Sequence, residues 1–559
     1  MQIPDMTKGI SRLVVLFSII LFLSPFAPAY GQNTELTRQD DHALLYAHQA
    51  GFSGTGTPMV QMRIAEGLDT LKIRPNGDFT VTLSGSGGGS IKLKGNRIYE
   101  FSLRDGRPGA YRYGIILARN DQADKLSQTE LSCQKNKIET ERISVGAIFA
   151  LKGHVFDNRE NLLITQRQPD LQICKKQIAE GLPLDDRLDA HEIYSDLLSY
   201  PTGQVILESP DGDIKIENPN ILWLTLPDSG AILYDIADES GHRSDIKLNA
   251  RLILTPDKAG KLTVVQSADI ETLLRGIVPA EIFKTAPAEA LKAQAVAART
   301  TLLAQLGARH QSDPYHLCNH QHCQVYRGLS GADTRTDEAI EATKGLVLFH
   351  DRKLVQSYYS AHCGGISAGS LETWGLPNRE YLVSRSDDTR HAPVKFSSDA
   401  DFLAWYRQTP ENYCASAPSG QKNYQSTKYS RWEAEISRED LRNYLKKAGQ
   451  NIGEIEAIEF ERGESYRVMH MTVRGTKGSY EVFRELGVRR FLGGLKSGLF
   501  VAEITKQGKM FSSMKLYGAG FGHGVGMCQT GAIGMAQRGK TAEDILAHYF
   551  PGTHLEKLW

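Results

Sequence analysis

Leu274-Arg275-Gly276-Ile277-Val278-Pro279-Ala280-Glu281 is followed, eight residues on, by Glu289-Ala290-Leu291-Lys292-Ala293-Gln294-Ala295-Val296-Ala297-Ala298-Arg299-Thr300. The second run predicts an Ala-rich helix. Pro287 suits its first position, Glu289 favours the positive end of the dipole, and Leu291, Ala295, Ala298, Leu302 and Leu306 form one apolar face that stops at Gly307. A carboxylate, Glu281, is thus presented beside a well-built helix. Taken alone, a Glu beginning a helix reads as a dipole or cap partner.

Upstream of this stretch the chain reads as strands. Val60, Met62, Ile64, then Phe79, Val81, Leu83, then Ile91 and Leu93 alternate, with turns at Pro75-Asn76-Gly77-Asp78 and the Gly-rich run Ser84 to Ser90. From Tyr111 a strand, a helix from Asp121 to Cys133 capped by Asn120, further strands and a helix near Asp170 to Glu180 suggest a small α+β insertion. Strands resume from Gln204 to Val265. Downstream, Ser416 to Lys428 reads as a surface excursion, and Ser437-Arg438-Glu439-Asp440 before Leu441 and Leu445 is a capping-box-like helix start.

The expected class is α+β. Its divisions are a signal peptide (1–31), a linker (32–58), a β-rich module (59–110), a small α+β insertion (111–200) and a β-rich lead-in (201–268). A core around Glu281 (269–390), an excursion with a helix (391–454) and a Gly-rich C-terminal part (455–559) complete the chain.

At 559 residues the chain is too long for one core. Lys plus Arg equals Asp plus Glu at 65 each, so no basic surplus argues for nucleic acid. Lys8 and Arg12 precede an apolar run from Leu13 to Leu23, then Pro25, Pro28 and small residues, a signal-peptide pattern that places the mature protein in the periplasm or cell envelope. Membrane attachment follows only if that segment stays uncleaved. Seven cysteines in an exported chain cannot all pair within one molecule; Cys133 and Cys174 are the natural disulfide candidates.

Four stretches together resemble the stage II sporulation protein D family, which also contains the amidase enhancers. These are the Glu281 run; Tyr359-Ser360-Ala361-His362-Cys363-Gly364-Gly365 with Trp374 and Tyr381-Leu382; Ser497-Gly498-Leu499-Phe500; and Gly518-Ala519-Gly520-Phe521-Gly522-His523-Gly524-Val525-Gly526-Met527-Cys528-Gln529-Thr530-Gly531-Ala532, continued by Ile545 to Thr553. The resemblance covers roughly residues 200 to 559. It implies lytic transglycosylation of peptidoglycan glycan strands with Glu281 as the single acid and base. That chemistry needs Glu281 protonated near neutral pH, in a partly desolvated pocket for which Ile277, Val278, Ile282 and Phe283 are walls or ordinary core. The alternative the family carries is a non-catalytic peptidoglycan-binding enhancer of a cell-wall amidase, and a third reading is an envelope scaffold. Ser360 and His362 are then substrate-side groups, and His523 and Gln529 are the polar groups placed by the cleft.

His316, Cys318, His320, His322 and Cys323 crowd into eight positions. Thiolate and imidazole suit zinc, and some family members carry zinc on a comparable loop. The expected ligands are Cys318, His322 and Cys323 with His316 as fourth, in a structural or positioning role; the rival is a Cys318 to Cys323 disulfide. Gly365-Ile366-Ser367-Ala368-Gly369 matches the G-x-S-x-G elbow in letters, but the β-rich chain before it lacks the required strand-turn-helix context. The alternate glycines from Gly518 to Gly526 never satisfy G-x-G-x-x-G, and H-E-x-x-H is absent.

Overall fold

The computed structural model describes residues 45–46 and 51–559, apart from 85–87, 121–122, 146–147, 152–153, 158–159, 166, 169, 181–191, 375–378, 389–393, 409–411 and 416–425. The expected signal peptide, most of the linker and most of the Ser416 to Lys428 excursion lie outside the described residues. Among the described residues no helix is long and apolar enough to cross a membrane.

The class is α+β, as the patterning predicts. Strand β1 (Pro58–Leu68) pairs with β2 (Leu262–Asp269), and Arg251–Pro256, Leu222–Thr225, Phe79–Leu83 and Ser90–Leu93 extend this antiparallel sheet. A second sheet runs Lys215–Pro219, Thr202–Glu208, Tyr99–Arg107, Thr70–Pro75, Ala231–Ala237 and Arg243–Leu248. Alternation along these strands buries Val60, Met62, Ile64, Tyr99, Phe101, Val205 and Leu207 in one shared core, while intervening residues such as Gln61, Glu100 and Ser102 are less buried. Between the strands of this unit, Ala110–Asn120, Glu160–Thr165, Thr140–Val145 and Glu192–Ser199 form a separate four-stranded sheet. Its own small core holds Cys133 and Cys174, both as thiols, with Leu126 and Leu163. The helix that follows is described over Ala123–Lys135; its expected start at Asp121 and the cap at Asn120 fall outside the described residues and side chains.

Two helices place the candidate acid, and here the structure corrects the sequence reading. Glu281 does not begin a helix; it ends one, α1 (Ile270–Glu281). Asp269 caps α1, its carboxylate accepting the Thr272 N–H at 3.0 Å and the Thr272 hydroxyl at 2.7 Å. Pro279 in the last turn removes a helical N–H, which is why the sequence reads as broken there although the helix continues to Glu281.

Helix α2 (Ala288–Gln305) follows, with Pro287 as cap rather than first helical residue. The expected single apolar face is too narrow a description. Gln294, Arg299, Thr300 and Thr301 are buried with the alanines, because α1, Thr334–Ala342, the strand Leu346–His350 and the two C-terminal helices pack around α2. Alanine along this helix allows that close approach, and Arg299 is accommodated by ion pairing rather than by solvent.

The C-terminal half has a second core under two three-stranded sheets, built on Trp432–Ser437, Phe500–Gln507 and Met510–Gly518 and on Ile455–Arg462, Val468–Gly475 and Gly478–Phe483. The capping box at Ser437 forms as read: its hydroxyl accepts the Asp440 N–H and the Asp440 carboxylate accepts the Ser437 N–H. The Gly-rich block returns to the first core, where β3 (Tyr359–Ser360) and β4 (Met527–Cys528) pair in parallel and α3 (Gln529–Gln537) begins. Left-handed backbone is required at Gly524 and Gly526, with φ of 78° and 70°. A Cβ at Gly524 would lie 2.2 Å from the Arg467 guanidinium, and one at Gly526 2.1 Å from the Tyr358 carbonyl oxygen.

Candidate active site

Glu281 projects from the end of α1 into a cleft of about 440 Å³ lined by Pro279, Ala280, Ile282, Phe283, Lys284, Ala361, Tyr429, Gln529, Thr530 and Ile533. Its Oε1 accepts the Val325 N–H at 3.2 Å. Burial raises the carboxyl pKa from 4.5 to about 7, against the opposing pull of the Val325 N–H and of Arg327. Its place at the negative end of a helix further disfavours ionisation. Among the described residues lining the cleft, Glu281 is the single carboxylate.

A ring of polar groups holds the backbone and side chains around it. Gln529 Nε2 donates to the Glu281 carbonyl at 2.9 Å and to Gln294 Oε1 at 3.2 Å. Tyr359 donates from its hydroxyl to Gln324 Oε1 at 2.5 Å, and its phenol is pushed well up by burial and then by the nearby Glu281 charge. In the sequence Tyr359 stands within a motif that gives it no role, and no local pattern marks Gln294, Gln324 or the Val325 N–H as part of the site. Phe283 is 43% exposed and Phe521 38% exposed, and Tyr429 stacks on Phe521 with ring centroids 4.5 Å apart. Phe283 and Tyr429 line the cleft, and Phe521 extends the apolar face of Tyr429.

Of the expected substrate-side residues, Gln529 lines the cleft and the others sit differently. Ser360 and His362 are buried, because in extended backbone successive side chains alternate and it is Ala361 between them that faces the cleft. His362 Nδ1 accepts the Gly364 N–H at 3.0 Å, and burial lowers its pKa, keeping the ring neutral. His523 packs against Trp374 at 4.9 Å, with Nδ1 accepting the Val525 N–H at 3.0 Å. Burial, then Arg467 and Arg489, lowers its pKa to about 3, so it is a neutral ring at physiological pH. Ser367 of the elbow-like stretch is tied to backbone, its hydroxyl 3.1 Å from the Val383 carbonyl and accepting the Arg385 N–H at 3.1 Å.

The His/Cys loop stands directly behind Val325. Cys318, His322 and Cys323 come together as the sequence suggests, but the fourth member is His310, not His316. His316 is turned to the first sheet, where its Nδ1 accepts the Gln61 N–H at 3.1 Å, because Leu317–Cys318 adds to β1 as a short parallel strand. His310 Nε2 lies 3.3 Å from Cys323 Sγ and 3.3 Å from His322 Nδ1, which lies 3.7 Å from Cys318 Sγ and 3.5 Å from Cys323 Sγ. Such spacings fit four ligands around a zinc ion. Asp313 Oδ2 lies 2.9 Å from His310 Nδ1, where a carboxylate would orient that imidazole were it to ligate a metal. Cys318 is drawn well below the usual thiol range by Cys323, with His310 and His322 adding to the effect against burial. His310 also holds left-handed backbone, φ 54°, a conformation uncommon outside glycine. The pair His310 and Asp313 lies outside the dense eight-residue stretch, and only a wider window would have caught it.

Residues 258–350, which span α1, Glu281 and the His/Cys loop, match the family model described as stage II sporulation protein (SpoIID). The chain carries a SpoIID domain. Residues 368–526 match a second model, a domain of unknown function (DUF8618). The amidase enhancer of Bacillus subtilis (strain 168) is 27% identical over 305 residues, 50% of this chain and 40% of that protein. Stage II sporulation protein D of Bacillus amyloliquefaciens is 26% identical over 310 residues, 52% of this chain and 76% of its own length. An uncharacterized protein of Brachyspira hyodysenteriae is 25% identical over 295 residues, 53% of this chain and 68% of its own length. This SpoIID-domain chain thus spans well under half of the amidase enhancer, and the motif resemblance to the family is borne out by these matches.

Proposed function

We propose that this SpoIID-domain protein cleaves the glycan strands of peptidoglycan as an exported lytic transglycosylase, with Glu281 as its one acid and base. The observation that carries the reading is a lone carboxyl in a cleft, raised by burial to about 7 and therefore substantially protonated at neutral pH. Protonated Glu281 gives its proton to the glycosidic oxygen, which leaves with the electron pair of the broken C1–O bond. The carboxylate so formed takes the proton of the sugar's own 6-hydroxyl, and O6 closes on C1 to leave a 1,6-anhydro end. One carboxyl balances both proton transfers, whereas hydrolysis by either common route uses two. Phe283 and Tyr429, the latter backed by Phe521, supply faces for the apolar sides of sugar rings, and Gln529 holds the backbone of Glu281 in place.

Cys318, His322, Cys323 and His310 would hold a structural zinc ion that closes the loop. That closure fixes the Val325 N–H and Gln324, the loop groups that reach Glu281 and Tyr359. Zinc analysis of protein purified without a His tag, before and after His310→Ala, checks the ligand set independently of activity; His316→Ala should leave the metal in place.

The test of the activity is incubation of purified protein with intact and peptide-stripped glycan, with product ends identified by mass spectrometry. Anhydro ends from the parent and none from Glu281→Gln are expected; equal release by both would place the acid elsewhere. A second reading is favoured by the name of the Bacillus subtilis relative: a glycan-binding protein that enhances a cell-wall amidase without cutting. It predicts no anhydro ends from the parent and equal enhancement by parent and Glu281→Gln.

A further inference from the structure

Behind the cleft lies a second cluster that the proposed chemistry does not use. Cys363, Asp387, Cys414 and Cys528 are all buried, and one ligand atom from each lies within 4.8 Å of all the others. We propose that these four residues form a second zinc site, one that ties the Gly-rich closing block to the segment carrying Tyr359.

The spacing supports coordination. Two zinc–sulfur bonds of about 2.3 Å at a tetrahedral angle put their sulfurs about 3.8 Å apart. Cys363 Sγ and Cys414 Sγ are 3.6 Å apart. Two of the three sulfurs also accept backbone donors, while the Cys414 thiol lies 3.3 Å from Asn412 Oδ1, to which it donates when no metal is bound. Cys528 Sγ accepts the Cys363 N–H at 3.2 Å and the Gly531 N–H at 3.3 Å, and Cys363 Sγ accepts the Gly365 N–H at 3.4 Å. Backbone donors converging on sulfur stabilise the thiolate, the form in which cysteine ligates metal.

Asp387 is the oxygen ligand. It is 1% exposed, and its carboxylate is oriented by the Cys414 N–H on Oδ2 at 3.0 Å and by the Tyr549 hydroxyl on Oδ1 at 2.6 Å, with His548 Nε2 3.5 Å from Oδ1. Each carboxylate oxygen keeps a further lone pair for a metal. A buried carboxylate beside several thiolates is costly unless a cation compensates it, and a divalent ion does so at the centre of the cluster. A Cys363 to Cys414 disulfide, the competing arrangement, would leave Cys528 and its two N–H donors without a charge to serve.

Position gives the site its consequence. Cys363 lies four residues after Tyr359, and Cys528 directly precedes Gln529, which holds the Glu281 carbonyl. Asp387 and Cys414 come from the intervening region. One ion would therefore pin three distant stretches of chain beneath the floor of the cleft, supplementing the β3–β4 pairing.

The test uses the full chain, untagged and purified without chelator. About two zinc ions per chain are expected for the parent. Cys318→Ser with Cys323→Ser empties the first cluster, so about one zinc should remain, and X-ray absorption should show three sulfurs and one lighter atom around it. Cys363→Ser with Cys414→Ser should lose that second ion and lower the melting temperature. Because this pair of changes is liable to prevent folding, Asp387→Asn provides a milder variant, expected to weaken zinc retention against a chelator at least about tenfold. The first-cluster variant, if it folds but holds no zinc, overturns the proposal. So does peptide mapping of the native parent that shows a Cys363 to Cys414 disulfide.

Discussion

Glu271 and Glu281 stand on the same helix, ten residues apart, and the molecule treats them oppositely. Glu271 lies in the first turn, at the positive end of the dipole. It takes Arg299 Nε at 3.0 Å and Nη2 at 2.7 Å, the Gly345 N–H at 3.1 Å and the Trp559 indole N–H at 3.0 Å. Glu281 lies at the negative end, meets one backbone N–H and faces an apolar cleft. Four donors converge on the Glu271 carboxylate, whereas Glu281 has one and its burial favours the proton. Residue type therefore says little about either role; the supply of donors and of solvent decides it.

The largest effect expected from disturbing this contrast is at Glu281. Glu281→Gln should lower glycan cleavage at least about 1000-fold, equivalent to about 4 kcal/mol of barrier, with an unchanged circular dichroism spectrum. A loss of less than tenfold would mean that the unpaired end of the helix does not carry the chemistry.

Glu271→Gln should act through stability. It leaves Arg299, which is 0% exposed, without its compensating charge, at a cost of about 3–5 kcal/mol in unfolding free energy. Urea unfolding checks this, and a change under 1 kcal/mol would dissolve the contrast.

The third prediction concerns pH. The folded-state pKa of Glu281, about 7, exceeds its ordinary value of 4.5, so the folded state holds the proton more tightly. The stability this group contributes is full below pH 4.5 and is lost as pH rises through 7. Glu281→Gln has no such loss. It should match the parent near pH 3.5, about one unit below the ordinary value, and be more stable by about 1–3 kcal/mol at pH 8.5, water at the cleft mouth screening part of the effect. Activity should fall on the alkaline side with a midpoint near pH 7.

The smallest effect is at Tyr359. Tyr359→Phe removes the hydroxyl bound to Gln324 and should reduce the rate about tenfold while leaving the alkaline midpoint near 7, since burial rather than this phenol dominates the Glu281 shift. A midpoint moved back toward 4.5 would show instead that Tyr359 excludes the water.

Local pattern made much of this protein legible in its sequence. Alternating Val60, Met62 and Ile64 specify strand faces because side-chain direction in a strand has a period of two. The Ser437 capping box and the density of His and Cys between 316 and 323 are likewise short-range signals, and the four motif blocks single out Glu281 and Gln529. Tertiary structure decided the rest. It exchanged His316 for His310 because pairing of Leu317–Cys318 with β1 turns one imidazole to the sheet and leaves the other by the thiols. It buried Ser360 and His362 and turned Ala361 to the cleft by fixing the register of β3 against β4. It carried α1 through Pro279 to Glu281 and surrounded α2 on all sides. It also gathered Cys363, Asp387, Cys414 and Cys528 from across the C-terminal region. Contacts between residues this far apart follow from how whole elements pack, and neither periodicity nor spacing along the chain encodes which side chains will meet.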